Sequence, residues 1–460
     1  MAVESRVSAE RIQDQKPRDQ FKSQLGFIFA AAGSAVGLGN IWRFPYMTGT
    51  NGGGAFVLLY LICVLFVGAS LLLVEFAIGR NGKTNAIESY AKIRKGAKWI
   101  GFLGFFSAFI FLSYYSVVSG WTVYYSIQSF FGLNGLAPDQ IGNFFGAFIS
   151  DPVKPLMYHG IFMALTVGII IKGVSQGIEK STKIMMPMLF VLLIILVIRA
   201  LTLPGAWEGI KWYLTPDLSK ITGGVWIAAL GQVFFSMSVG MSGMVTYASY
   251  LGKHENLPKT SIIVALMDTS VALLAGLIIF PAVFSFGLEP GAGPGLVFIT
   301  LPAVFAQMPL GSIFSFMFFV LLAIACLTSS ISILEMPVSY LIETRKMART
   351  KAALLVGAIA YVMGIAVSFS FGIWSDFTLF GKGIFDLFDY FGSNISLPLG
   401  GLAAAILVGW FWGEKDAVAE ISNNGEIKGT IVKAWFPVVK YVVPVTVVLI
   451  FLSNLGILKL

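Results

Sequence analysis

Apolar stretches long enough to cross a bilayer as helices, roughly 17–25 residues each, recur along nearly the whole chain. Eleven are read, centred near Val36, Leu65, Tyr115, Leu165, Leu192, Ser238, Ala275, Leu327, Gly357, Leu402 and Val447. Two of them carry a matching interruption: Gly33-Ser34-Ala35-Val36-Gly37-Leu38-Gly39-Asn40 in the first and Ser236-Met237-Ser238-Val239-Gly240-Met241-Ser242-Gly243 in the sixth. Glycine weakens a helix by roughly 1 kcal/mol per residue relative to alanine. Hydrocarbon tolerates unpaired backbone only where it lines a cavity or is buried in protein. The pattern therefore predicts two helices broken near the membrane midplane. Such a pair in corresponding halves of a chain points to a transporter's binding site.

Spans one to five and six to ten form two halves, each opening with a broken helix. Because five is odd, the second half enters from the opposite side and the repeat is inverted. The expected divisions are a cytoplasmic segment (1–20), a first five-helix repeat (21–201), a second (202–413), and a cytoplasmic loop with a peripheral eleventh span (414–460). The outer loop 288–308 is long, apolar and rich in Pro and Gly, which predicts a re-entrant hairpin over an outer vestibule. Gly52-Gly53-Gly54 predicts a tight outer turn.

Composition agrees with a membrane protein: 57% of residues are hydrophobic and 12% charged, against about 25% charged in ordinary proteins, and the mean hydropathy is +0.84. The loop after span two carries Arg80, Lys83, Lys92, Arg94, Lys95 and Lys98, whereas the next loop has Lys154 alone against Asp139 and Asp151. Lys172, Lys180 and Lys183, then Arg345, Lys346, Arg349 and Lys351, keep the bias. The positive-inside rule places the N-terminus in the cytoplasm and the C-terminus outside, in the cell's inner (plasma) membrane. This bias accounts for the net charge of +8 without a nucleic-acid surface. Residues Met1 to Gln20 lack the apolar core of a signal peptide. Cys63 and Cys326 both fall inside spans, so no outer disulfide is expected. His159 and His254 have no metal-ligand partner in the sequence.

Ionisable groups inside a membrane are costly and are functional candidates by default. Here they are Arg43, Glu75, Asp268, Glu335, Glu343, Asp386 and Asp389. Asp268 lies deep in span seven, where an isolated carboxylate binds a proton or needs a cation. Oxygen ligands suit hard cations; broken helices supply carbonyls, and Asn40 and Ser236 add side-chain oxygens, a set that fits sodium. A neutral hydrogen-bonding strut is the alternative for Asp268. The hydroxyl run Thr328-Ser329-Ser330 in span eight either bonds back to the preceding turn or faces the break in span one. Gly33 and Gly37 also read as a GxxxG packing pair, and Tyr114, Tyr115, Trp121, Phe234 and Phe235 as packing residues. An intramembrane hydrolase would need a base, and no His or Lys accompanies the serines within the spans.

The string Gly33 through Pro45 (GSAVGLGNIWRFP), followed by Asn51-Gly52-Gly53-Gly54-Ala55-Phe56, resembles the first-helix signature of the neurotransmitter:sodium symporters. Gln232 to Ser236, Thr246 to Tyr250 and Leu327 to Ser330 extend the resemblance across both halves. It implies an all-α integral membrane protein of LeuT fold, a 5+5 inverted repeat with eleven transmembrane helices as in prokaryotic members, and transport rather than catalysis. The implied first sodium site uses Ala35, Asn40, Ser236 and Asp268, with the substrate carboxylate completing the shell. The second uses carbonyls of Gly33, Val36 and Ala325 with hydroxyls of Thr328 and Ser329. Two Na⁺ ions are thus expected, with an L-amino acid as small-molecule partner.

The resemblance also implies a substrate site formed by Ser34, Ala35, Leu38, Gly39, Phe111, Tyr115, Phe235, Ser236, Ser238, Met241, Ser329 and Ile333. No member of this set is charged, which favours hydrophobic and neutral amino acids, aromatic ones included. Arg43 with Asp389 is the expected outer gate, Asp386 being the competing partner, under a lid of Tyr115 and Phe235. Arg18 with Glu343, supported by Tyr250, is the expected inner gate. Asp268 stands where the leucine transporter and the animal carriers have asparagine, and Ala272 where the leucine transporter has glutamate. A fixed carboxylate can replace chloride, so chloride-independent transport is expected, with proton release on sodium binding as a further possibility. The rival readings are a proton-coupled carrier and a transporter-like amino-acid sensor.

Overall fold

The hydroxyl of Ser23 accepts the Gly26 N–H at 3.1 Å and so caps α1 (Gln24–Ala35). The chain then bends by 50° into α2 (Gly39–Thr50). Gly52 and Gly53, at φ +89° and +64°, make the turn into α3 (Gly54–Gly82). A short α4 (Ala86–Ile93) leads to α5 (Lys95–Phe131), which is followed by α6 (Pro138–Ser150), α7 (Lys154–Ile171) and α8 (Val174–Leu201). This computed structural model describes residues 18–131, 133, 136–287 and 295–454.

The second half opens with α9 (Ala206–Leu214), α10 (Gly223–Ser236) and α11 (Gly243–Ala248). Asn256 caps α12 (Leu257–Ser285) by accepting the Lys259 N–H at 3.0 Å. Next come α13 (Leu296–Ala306), α14 (Gly311–Arg345), α15 (Arg349–Phe369), α16 (Ile384–Trp412), α17 (Glu414–Ile421) and α18 (Thr430–Ser453). Among the described residues nine helices are long and apolar enough to cross a membrane, and ten if α1 and α2 form one span. The sixth expected span is the pair α10 and α11, of 14 and 6 residues. At 1.5 Å per residue neither piece covers the roughly 30 Å of hydrocarbon alone.

Exposed apolar residues line the outside of the bundle. On α8, Ile184, Met188, Val191, Ile194, Ile195 and Ile198 are all exposed, a helical stripe that suits a hydrocarbon solvent and would be a liability in water. In α14, 78% of the most apolar window is buried, against 28% in α18, so α14 is central and α18 lies at the edge. The helices α1, α5, α7, α8 and α15 pack around α14. The expected outer hairpin falls partly outside the described residues, at 288–294. Its described portion, α13, is buried, with Phe298 stacked on Phe145 of α6 at 5.6 Å. Both cysteines are buried and free.

The break between α10 and α11 has Ser238, Gly240 and Ser242 at φ +51°, +94° and +66°. Three left-handed residues in five end one helix and aim the next elsewhere. The Gly240 N–H is held by Glu75 of α3 at 2.5 Å, and a methyl at Gly240 would overlap the Leu397 carbonyl of α16. Gly240→Ala is therefore expected to cost about 1–3 kcal/mol, read as a lower thermal unfolding midpoint in detergent. Gly231→Ala, where a methyl meets open space, is the control.

Candidate functional site

Beyond Ala32 the hydrogen-bond ladder of α1 is diverted. The Gly37 N–H turns to Asn40 Oδ1 at 3.0 Å, the Leu38 N–H to the Tyr115 hydroxyl at 3.3 Å, and the Asn40 N–H to the Gly37 carbonyl at 3.2 Å. In an unbroken helix these donors would serve the carbonyls of Gly33, Ser34 and Val36. Those carbonyls take hydroxyls instead: Ser329 reaches Val36 at 2.9 Å and Gly33 at 3.4 Å, and Ser238 reaches Ser34 at 3.2 Å. A cradle of oxygen atoms results at mid-bundle.

Asp268, on α12, is fully buried beside this break. Its carboxylate accepts Asn40 Nδ2 at 2.7 Å, the Ser236 hydroxyl at 2.8 Å and the Tyr60 hydroxyl at 3.4 Å. Asn40 Nδ2 also donates to Ser236 Oγ at 2.9 Å and to the Asp268 carbonyl at 3.0 Å. No lysine, arginine or histidine pairs with Asp268 among the described residues. Three of the four residues expected to hold a first sodium ion are thus in direct contact, while Ala35 lines the adjacent cavity. To turn its Oδ1 toward a cation beside Asp268, Asn40 must rotate its amide and give up both the Gly37 and the Asp268 bonds, and a bound cation then takes the place of the amide N–H between the two oxygens. One carboxylate among amide, hydroxyl and carbonyl oxygens suits a hard monovalent cation. Among the described residues no three His, Cys, Asp or Glu cluster as a transition metal would require.

The second expected set also converges. The Ser329 hydroxyl lies within 3.4 Å of the Gly33, Val36 and Ala325 carbonyls, and Thr328 Oγ1 lies 2.9 Å from Ala325 O. The back-bonding and break-facing readings of this run are both met, because the same hydroxyls bond to their own helix and reach the break.

Between the breaks lies a nearly closed cavity of about 20 Å³ lined by Ala35, Leu38, Gly39, Phe111, Tyr115, Phe235, Ser238, Met241, Ser329 and Ile333, together with Gly37 and Leu397. That is far below the roughly 300–1,000 Å³ of small-molecule sites, so the lining side chains must move apart to admit a ligand. Ten of the twelve expected substrate-site residues line it; Ser34 and Ser236 are bonded to neighbouring groups instead, Ser34 to the Ser332 hydroxyl at 2.6 Å. A methyl on Gly37 would meet the Tyr115 and Ser329 hydroxyls, so glycine here leaves both hydroxyls room. Leu397 was not anticipated, because its side of α16 cannot be assigned from an apolar run.

The two expected gates differ. Arg18 donates to Glu343 at 2.7 Å and to the carbonyl and hydroxyl of Ser249 at 2.7 and 2.8 Å, and its guanidinium lies 4.4 Å from the Tyr250 ring centre. Glu343 also accepts from Thr84 and the Asn85 N–H. On the opposite side Arg43 lies 4.4 Å over the Phe235 ring and is not within ion-pair distance of Asp389 or Asp386. Asp389 instead accepts the Ser393 hydroxyl at 2.9 Å. The aromatic lid expected of Tyr115 and Phe235 includes Phe111, whose ring centre is 6.5 Å from that of Phe235.

Other residues complete the site. Tyr60 touches both Ser236 and Asp268, and Gln232 Nε2 ties α10 to the Gly39 carbonyl at 2.7 Å. Glu335, whose part was open, accepts Tyr250 Oη at 2.8 Å and pairs with Arg349 at 2.5 Å. Its burial inside an apolar span was the available signal; its partner, on another helix, was not readable.

Residues 18–138 and 154–459 match the model of the sodium:neurotransmitter symporter family. An uncharacterized sodium-dependent transporter of Bacillus subtilis, YhdH, is 42% identical over 97% of this chain and 99% of its own length. A sodium- and chloride-dependent GABA transporter of Drosophila melanogaster is 28% identical over 86% of this chain and 47% of its own. The crystal structure of MhsT in complex with L-phenylalanine superposes with a TM-score of 0.88 at 43% identity, covering 95% of this chain and all of that one. Two broken helices around an oxygen-lined cavity, in a LeuT-fold bundle with such relatives, leave one assignment: the chain belongs to the sodium:neurotransmitter symporter family and is a sodium-dependent transporter.

Proposed function

We propose that this chain imports hydrophobic and neutral L-amino acids, aromatic ones included, by sodium-coupled symport that does not require chloride. The observation that carries the proposal is Asp268: a fully buried carboxylate with amide and hydroxyl donors but no cationic side chain among the described residues. Burying an unpaired charge is strongly unfavourable, and a sodium ion among Ala35, Asn40, Ser236 and Asp268 compensates it. A second ion fits Gly33, Val36, Ala325, Thr328 and Ser329. With a permanent negative charge at the first site, no separate anion is needed to balance the ion. Relatives named as chloride-dependent provide the contrast.

The substrate class follows from the cavity. Its walls are apolar or hydroxyl-bearing and carry no charged side chain, so a net-charged amino acid would be desolvated without a partner. A zwitterion's carboxylate would meet the first sodium ion, the Tyr115 hydroxyl and the N–H groups near Leu38 and Gly39. Its ammonium would meet carbonyls around Ser34, Phe235 and Ser236 and the Ser329 hydroxyl. Met241 adapts its shape to different side chains, and MhsT, solved with L-phenylalanine, supports an aromatic ligand here. Ser329 belongs to both the cavity wall and the second ion set, which couples ion and substrate binding.

Transport then proceeds by alternating access, with the N-terminus in the cytoplasm and the C-terminus outside. Sodium and substrate enter from outside, Arg43 approaches Asp389 as the outer gate closes, and the Arg18–Glu343 contact opens. Each sodium charge moved inward gains roughly 2.3 kcal/mol per 100 mV of membrane potential. Because the inner ion pair is only about a quarter exposed on each side, it holds more firmly than a fully solvated pair yet still opens.

In proteoliposomes, uptake of labelled leucine and tryptophan is expected to need external sodium rather than potassium and to persist when chloride is replaced by gluconate. Uptake driven by an inward proton gradient without sodium would favour the proton-coupled carrier, and binding without uptake the sensor. Asp268→Asn is expected to lose at least tenfold in chloride-free, sodium-driven uptake; an unchanged rate would overturn its role as the fixed counter-charge. Ser329→Ala is expected to raise the sodium concentration for half-maximal uptake by about tenfold, as loss of one charge-assisted contact implies.

A further inference from the structure

A groove of about 330 Å³ runs between the first turns of α5 and the last turns of α16. Its floor and walls are Trp99, Ile100, Leu402, Ile406, Leu407 and Phe411. Trp99 and Phe411 are each about half exposed, at 50% and 51%, and Trp410 beside them is 59% exposed. Exposed tryptophans at the common end of two spans mark the headgroup level of a bilayer. Below that level the solvent is hydrocarbon, so an acyl chain fills the groove and the rim decides which headgroup accompanies it.

The rim is cationic. Arg94, the cap residue after α4, lines the groove and holds its guanidinium 3.9 Å from the Phe411 ring centre. It has no carboxylate partner among the described residues. Lys95 follows it, exposed, at the start of α5. Lys98 is also exposed but is neutralised by Glu88 at 2.8 Å. Among the described residues no acidic side chain lines the groove. Stacking on Phe411 fixes Arg94 at the mouth while leaving its N–H edge for an oxyanion.

We propose that this groove is a binding site for one anionic glycerophospholipid, its phosphate at Arg94 and Lys95 and an acyl chain along Leu402, Ile406 and Phe411. The site is separate from the substrate cavity and joins α5 to α16.

The full chain, purified in a mild detergent, is incubated with equimolar phosphatidylglycerol and phosphatidylcholine and read by native mass spectrometry. Phosphatidylglycerol is expected to be retained at least tenfold better. Basic residues at the membrane surface contribute about fivefold each to anionic-lipid binding, so Arg94→Ala with Lys95→Ala should lower retention on the order of twentyfold. Leu402→Trp, which fills the groove and leaves the cations, should lower it as well; circular dichroism and gel filtration check that each variant is folded. Equal retention of the two lipids, undiminished retention in the double variant, or displacement by soluble glycerophosphate alone would overturn the proposal. Self-association of the chain that Leu402→Trp abolishes, with lipid retention unchanged, would assign the groove to a second copy of the chain and also overturn it.

Discussion

A carboxylate at the centre of an apolar bundle is the constraint around which the rest is arranged. Asp268 cannot be solvated where it sits, so amide and hydroxyl groups must be brought to it. Asn40 comes from the break between α1 and α2, Ser236 from the end of α10 and Tyr60 from α3. Each belongs to a different helix. Moving any of these elements changes the surroundings of one buried charge, which is a physical route for coupling ion binding to helix motion.

The two breaks are stabilised in complementary ways. In the first, released carbonyls are met by hydroxyls of Ser329 and Ser238, and in the second a released N–H is met by the Glu75 carboxylate. Carbonyls and helix C-termini favour cations, whereas free N–H groups favour anions. The backbone groups that both breaks release are thus satisfied beside one small cavity. Close contacts such as Gly240 against Leu397 leave little slack, so the breaks are fixed hinge points rather than frayed helix ends.

The two sides of the membrane are held shut by different forces. One side carries a linked polar network: Arg18 on Glu343, Ser249 and Tyr250, and Tyr250 on Glu335, which pairs with Arg349. The other relies on aromatic contacts among Phe111, Phe235 and the Arg43 guanidinium, and Arg43 keeps one buried nitrogen without a hydrogen-bond partner. Several charge-assisted bonds against one cation–π contact make the Arg18 side the tighter closure here.

Local chemistry was readable along the chain because it depends on neighbours in sequence. Glycines at Gly33, Gly37, Gly39 and Gly240 announced the breaks, an isolated Asp268 announced a buried charge, and the expected parts of Arg18, Glu343, Ser329 and Tyr115 came from the family resemblance. Contacts across helices were not. Tyr60 is one aromatic among many in an apolar helix, and only the packing of α3 against α12 brings it to Asp268. Gln232 meets Gly39, and Glu335 meets Arg349, because of crossing angles that no spacing rule encodes. Separation of Arg43 from Asp389 and the amide orientation of Asn40 are likewise settled by surroundings. A sequence fixes which face of a helix a residue occupies through its 3.6-residue period; what stands opposite that face depends on how whole helices pack, and only the assembled bundle decides it.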